Sequence, residues 1–259
     1  MHRLYVVNSS HPSETVKKAL ELKGIPYKTV ELPVPMHRAL MRLRFDQRTV
    51  PAMRLKGGEK ISGSRAILRR LDELVTDPPL LPSDAQARAA VLEAETWGDD
   101  VLQPLVRRAV IGALKRCPGA IPSYQEASKL AQLPGPMVRS LAPRVVRIQA
   151  RAHGAGDEQV KEDLQSLRGH LDRIDGLIGE GVLGGQAPNA ADLQIGSSIR
   201  LLSTIGDIRP LLAGRPSEAL ALALFADFPG EVPAGVFPRT WLKPVAGNQS
   251  TSKGPPASR

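Results

Sequence analysis

The alternation of apolar and polar positions changes character about a third of the way along the chain. Leu4–Val7 is a short apolar run stopped by Asn8 and two serines, which predicts a buried strand. Val16, Ala19, Leu20 and Lys23 then recur at helical spacing, with Glu14 in the first turn and Gly24 where a left-handed cap is wanted. "IPYKTVEL" alternates into a second strand, so strand, helix, strand predicts a parallel βαβ pair. "PMHRALMRLRF" supplies a short helix, and "TVPAMRLKGGEKI" places two apolar runs around Gly57 and Gly58, a hairpin by turn chemistry. "SGSRAILRRLDELV" closes the unit as a helix with Ile67, Leu68, Leu71 and Leu74 on one face. The order βαβαββα is that of a thioredoxin fold over residues 1–75.

"TDPPLLPSD", within residues 76–84, breaks helix and strand alike and reads as a linker. Beyond it the strand period vanishes, which predicts an all-helical domain over 85–242. One long helix is expected from Ala85 to Lys115, kinked at Pro104, and a helical stretch from Gln125 to Gly156 broken by Pro134, Pro136 and Pro143. The clearest helix runs from Asp157 to Ile178, where Val160, Leu164, Leu167, Leu171, Ile174 and Ile178 form one stripe. "PNAADLQIGSSIRLL" opens on Asn189 with Asp192 three residues on, a capping-box variant with a folding role, and "PSEALALALFADF" predicts a last helix. "PLVRRAVIGALKR" is basic and amphipathic, and packing within its own domain accounts for it more simply than a membrane surface does. Residues 243–259 have the composition of a disordered tail.

Composition narrows the function. The chain has 259 residues, enough for two domains, and 42% hydrophobic residues, of which few are aromatic (3%). The net charge of +9 is spread along the chain, and with so few aromatics to stack bases it argues against nucleic acid while suiting a small anionic ligand. Cys117 is the single cysteine, which excludes an internal disulfide and thiolate metal clusters, and the five histidines show no zinc-type spacing, so no metal is expected. With no signal peptide or apolar span in sight, a cytoplasmic protein without integral membrane association is expected.

The stretch "SSHPSETVKKALELKGIPYKTVEL", with "TVP", "SGSRAI" and "PNAAD" following in that order, resembles the glutathione transferase family, a thioredoxin-like domain followed by a helical bundle. The resemblance implies an enzyme that activates the thiol of glutathione, or another low-molecular-weight thiol, for conjugation to or reduction of a hydrophobic electrophile. It also implies a homodimer and a role in detoxification. Ser10 falls where serine-type and cysteine-type members carry their functional residue. Ser10 to Ser13 have the spacing of a thioredoxin CxxC turn with both sulfurs replaced by oxygen, so the reactive sulfur would belong to the ligand. Ser9 and Ser13 read instead as helix-capping residues.

By the same resemblance Val50, before a cis Pro51, would pair with an extended ligand, and Ser64 with Gly63 and Arg65 at a helix start would receive its carboxylate. His11, Trp97, Asp100 and Leu105 would line the electrophile pocket, although core packing is the simpler account of Trp97 and Leu105. Gly63 stands where the family usually has an acid, and "RFDQR" replaces the usual Asn-Pro and Gly turn. Those departures favour a second reading, a non-catalytic scaffold that binds a protein partner or an apolar ligand.

Overall fold

A computed structural model of the chain describes residues 1–34, 36–130 and 135–243, with the side chains at 135, 136, 138 and 139 left aside. The expected tail at 243–259 therefore lies, but for Lys243, outside the described residues.

β1 (His2–Val6), β2 (Tyr27–Glu31), β3 (Ala52–Arg54) and β4 (Lys60–Ser62) form a sheet in the order β2-β1-β3-β4. β1 and β2 run parallel with Leu4 opposite Thr29, while β3 is antiparallel to both β1 and β4. Side-chain alternation splits the core in two. Leu4, Val6 and Met53 meet α1 (His11–Leu22) and α3 (Ser64–Leu74) through Val16, Leu20 and Ile67. Tyr5 and Ala52 face the other way, toward Met41 of α2 (His37–Phe45), with the Tyr5 and Phe45 rings edge to face at 4.9 Å.

From Ala85 onward the regular elements among the described residues are helical, apart from one isolated bridge between Ile205 and Val232. α4 (Ala85–Trp97) and α5 (Gln103–Arg116) form one rod, but the irregularity lies at Gly98–Leu102, a π-helical turn, and not at Pro104 as the sequence suggests. Proline lacks the N–H that would reach Asp100 and crowds that carbonyl; the wider turn opens the backbone just before it, and the Gln103 N–H reaches back five residues to Gly98. α5 packs into its domain, with Val106, Ala109 and Ala113 buried.

Residues 118–125 form a 3₁₀ segment, and α6 (Gly135–His153) continues through Pro143, so the helical stretch expected from Gln125 starts later and is unbroken at that proline. α7 (Asp157–Gly179) buries the stripe from Val160 to Ile174. α8 (Ala190–Leu202) begins with a full capping box: Asn189 accepts from the N–H groups of Ala191 and Asp192, and Asp192 accepts from the N–H groups of Asn189 and Gly184. After α9 (Arg209–Leu212), α10 (Pro216–Leu224) ends four residues earlier than the apolar run suggests, because Phe225 and Phe228 turn into the core. The chain then returns past Gly206, where a Cβ would come within 2.5 Å of the Ala234 N. Among the described residues no helix is long and apolar enough to cross a membrane.

Two sets of buried polar contacts join the halves. Thr15 on α1 meets Ser197 Oγ at 2.8 Å and the Leu193 carbonyl at 3.1 Å on α8. Lys23 Nζ spends its three donors on Asp72 (2.8 Å) and the carbonyls of Val75 (2.5 Å) and Pro78 (2.9 Å), so the proline-rich connector is pinned at its root. Asp72 also accepts from the Leu80 N–H, and the Leu80 carbonyl accepts from the Ala190 N–H.

Asp192→Ala strips two part-buried N–H groups of their acceptor at once. Thermal unfolding should show a loss of about 1–3 kcal/mol, roughly 2–4 °C for each kcal/mol in a chain of this size. An unchanged Tm would mean that the box does not hold the start of α8.

Candidate functional site

The turn before α1 contains three hydroxyls in different situations. Ser9 sits at φ 60° and its Oγ donates to the Tyr124 carbonyl at 2.6 Å, beside the Asn8 Nδ2 donating to the same oxygen at 2.6 Å. Ser13 is sealed in the core with an unpartnered Oγ. Ser10 is the N-cap by its backbone, its carbonyl accepting from the N–H groups of Ser13 (2.8 Å) and Glu14 (3.0 Å), yet its side chain makes no capping bond. It is half-buried and lines a cavity of about 700 Å³ between the two halves of the molecule. A hydroxyl at a helix start, free of the helix, can donate to an anionic atom that the helix dipole also favours.

The sheet side of the cavity includes Ser10, His11, Pro33 and Val50. The Val50–Pro51 peptide is cis. Pro51, Gly63, Ser64 and Arg65 do not line the cavity but adjoin Val50, since the Gly63 N–H donates to the Pro51 carbonyl at 3.0 Å. Gly63, at φ 86°, is the N-cap of α3 and has no side chain to offer its first N–H groups, while Ser64 is the first helical residue and is buried. That φ is one that residues with a Cβ rarely adopt, which accounts locally for a glycine where an acid was expected.

The helical side is built from two regular faces. α5 presents Arg107, Val110, Ile111 and Leu114, and α6 presents Ala142, Val145, Val146, Gln149 and His153, both at spacings of three and four. The cavity is therefore apolar along its length with basic side chains at intervals, Arg38 and His37 on α2 among them. Glu31 is its only acidic lining residue among the described ones, and it already accepts from Ser128 Oγ (2.5 Å) and the Lys129 N–H (2.7 Å). No group of three or more His, Cys, Asp or Glu among the described residues could hold a metal ion.

Of the side chains expected to line the electrophile pocket, His11 alone lies on this cavity. It is 2% exposed, and burial first and Arg107 second hold its imidazole well below the ordinary pKa, against a hydrogen bond with the Gln103 backbone. Trp97 and Asp100 stand instead beside a shallow surface depression, with the Arg173 guanidinium 4.7 Å from the Trp97 ring centre, and Leu105 is in the core. The reason is phase. Leu105 precedes Arg107 by two positions, about 200° around the helix, and the π turn separates Trp97 from the α5 face altogether.

Arg65 is committed to Thr96 Oγ1 (2.9 Å) and to the Asp99 and Asp100 carboxylates (both 3.8 Å). Asp99 in turn accepts from Gln103 (2.6 Å) and from Gln194 on α8 (3.0 Å). Arg65 is thus a strut between α3 and the α4–α5 rod. Arg38, Arg107, Tyr124 and His153 escaped the sequence reading; the one readable signal was an arginine interrupting the apolar stripe 107, 110, 111, 114.

Residues 4–79 match the family described as the glutathione S-transferase N-terminal domain. Among curated relatives, the chain is 30% identical over 112 residues to "Glutathione S-transferase U4" of Arabidopsis thaliana, covering 43% of this chain and 50% of that one. It is 31% identical over 122 residues to "Maleylpyruvate isomerase" of a Ralstonia species, covering 46% and 57%. The chain thus spans about half the length of these curated relatives. Among solved structures, a glutathione S-transferase from Rhodospirillum rubrum superposes with a TM-score of 0.58 at 21% identity, covering 93% of this chain and 98% of that one, a likeness of fold.

His153 supplies a test of the cavity's electrostatics. Burial, then Arg107, Arg38 and His37, lower its pKa to about 4 from an ordinary 6.5. Between those values the unfolded chain binds more protons than the folded one, so this contribution to stability is present above pH 6.5 and is lost as pH falls toward 4. His11 and His37 act in the same direction, so the slope should be reduced rather than abolished in His153→Gln. Allowing for screening of a partly exposed ring, the variant should lose roughly 2–4 °C less than the native chain between pH 7 and pH 5. Parallel melting curves would mean that His153 is not held neutral.

Proposed function

We propose that this chain, whose residues 4–79 match the glutathione S-transferase N-terminal domain, is a transferase that activates a small thiol for reaction with an apolar electrophile. The observation that carries the reading is the Ser10 hydroxyl, unused by its own helix and facing the cavity that Val50 also lines. Glutathione, or a related thiol, would supply the reactive sulfur. Ser10 Oγ would donate a hydrogen bond to it, and the α1 N-terminus would favour its ionised form. The Val50 backbone would hold the extended part of the ligand, and the uncapped start of α3 at Ser64 would take a carboxylate. His11, neutral by burial, adds no competing positive charge next to Ser10. The expected assembly, a homodimer, and the expected cytoplasmic setting belong to the same proposal.

A second reading, a scaffold that binds a partner protein or apolar ligand without catalysis, draws on Gly63. Without a carboxylate there, a ligand ammonium lacks a charge partner from that position, and the nearby Asp99 and Asp100 are engaged by Arg65.

Ser10→Ala decides between them. Calorimetric titration should give glutathione affinity within a few-fold of the native protein, while the apparent pKa of the bound thiol rises and turnover of a neutral electrophile falls about 10²-fold. Tm should barely move, because Ser10 makes no side-chain cap. Ser10→Cys should gain thiol-transfer activity at the expense of conjugation. Loss of activity in Ser13→Ala with none in Ser10→Ala would shift the functional register by three residues. Thiol binding with no change in either variant would leave the scaffold reading.

A further inference from the structure

The cavity has more charge than its walls balance. Arg107 reaches in from α5 and Arg38 from α2, and neither has a carboxylate within 4.0 Å. All 26 Asp and Glu side chains of the sequence are among the described residues, and the one that acts on Arg107, Asp99, does so from beyond ion-pair distance while engaged by Arg65, Gln103 and Gln194. Arg107 donates to the neutral Gln103 Oε1 at 2.5 Å, and Glu31 is engaged by Ser128 and Lys129. His37 and His153 line the same space. Guanidinium groups beside a largely apolar lining, with no carboxylate in contact, are costly to maintain, and a bound anion reduces that cost.

We propose that this cavity receives an amphipathic carboxylate, its head on Arg107 and Arg38 with His153 alongside and its apolar body along Val110, Ile111, Leu114 and Val145. The size supports an elongated ligand, since about 700 Å³ exceeds what a single small anion fills. So does the distribution of charge. The two arginines come from separate elements, α2 and α5, with the neutral His153 of α6 beside them, while the α5 and α6 faces running away from them are aliphatic. Arg107 and Arg38 also stand among the causes that push His153 down to about 4, a mutual repulsion that an anion between them relieves.

The role of this carboxylate as the second substrate rests on the transferase reading; its charge does not. Octanoate, 1-octanol and octylammonium share one chain and differ in the head, and each is titrated calorimetrically into the full chain with and without saturating glutathione. Octanoate should bind at least tenfold tighter than octanol, and octylammonium more weakly than both. Arg107→Met should weaken octanoate at least tenfold and change octanol less than twofold, with Arg107→Lys recovering part of the loss. Arg38→Met, read in the same way, serves if Arg107→Met does not fold.

Equal affinity for octanoate and octanol overturns the proposal. So does displacement of octanoate by glutathione in simple competition, because the cations would then serve the thiol ligand's own carboxylates. Octanoate selectivity in a protein that binds no glutathione leaves the anion site standing and removes the transferase reading. Glutathione binding without octanoate selectivity does the reverse.

Discussion

The carbonyl oxygen of Tyr124 determines which hydroxyl of the N-terminal turn is left for chemistry. It accepts from both Asn8 and Ser9, holding Ser9 in a left-handed conformation and leaving Ser10 to face the cavity. Tyr124 belongs to the helical half and is itself fixed. Its hydroxyl lies 2.6 Å from Thr204 Oγ1, and its ring occupies the space that any side chain at Gly230 would need. Burial raises that phenol to about 12, so the contact stays a neutral hydrogen bond across the ordinary pH range. The turn is therefore a joint product of the two halves, and the docking of α1 on α8 through Thr15 and Ser197 sets the distance over which Asn8 and Ser9 must reach.

The cavity follows from that docking. Each wall on the helical side is an ordinary amphipathic face of the kind that would pack against a neighbour, but here the facing surface is the turn and the start of α2, too polar and too irregular to fill it. The resulting space is apolar by default and positive by its few exceptions. Chain-wide charge did not foretell this, because most of the lysines and arginines are scattered or paired, as with Arg108, bidentate to Asp163, and Arg215, held by Asp172 and Asp175.

Local rules made much of the fold legible. The β1–α1–β2 unit, the Gly57–Gly58 hairpin, the α7 stripe and the Asn189–Asp192 box each depend on residues a few positions apart, and the structure has all of them. Ser10 could be singled out for the same reason, by counting back along one helix. What the sequence did not reveal depends on contacts distant in the chain. Ser9 gives up its hydroxyl to a residue 115 positions away, Arg65 is drawn off to Asp99 and Asp100, and Trp97 faces Arg173 rather than the cavity. Proline misled twice. Pro104 suggested a kink at its own position, where the irregularity is a π turn just upstream, and Pro143 suggested a break where α6 runs on.

The π turn at Gly98–Leu102 acts as a phase adjuster. One residue more than an α-helix needs rotates everything downstream by about 100° relative to everything upstream. α4 can therefore keep Glu95 and Trp97 on packed surfaces while α5 presents Arg107 and its aliphatic neighbours to the opening. Taking out a single residue in this turn would leave composition, charge and helix length almost untouched, yet would rotate the arginine away from the space it serves. The ligand preference of the cavity is thus set partly by a length, and chains alike in every lining residue could differ in it through one insertion or deletion some distance from the ligand.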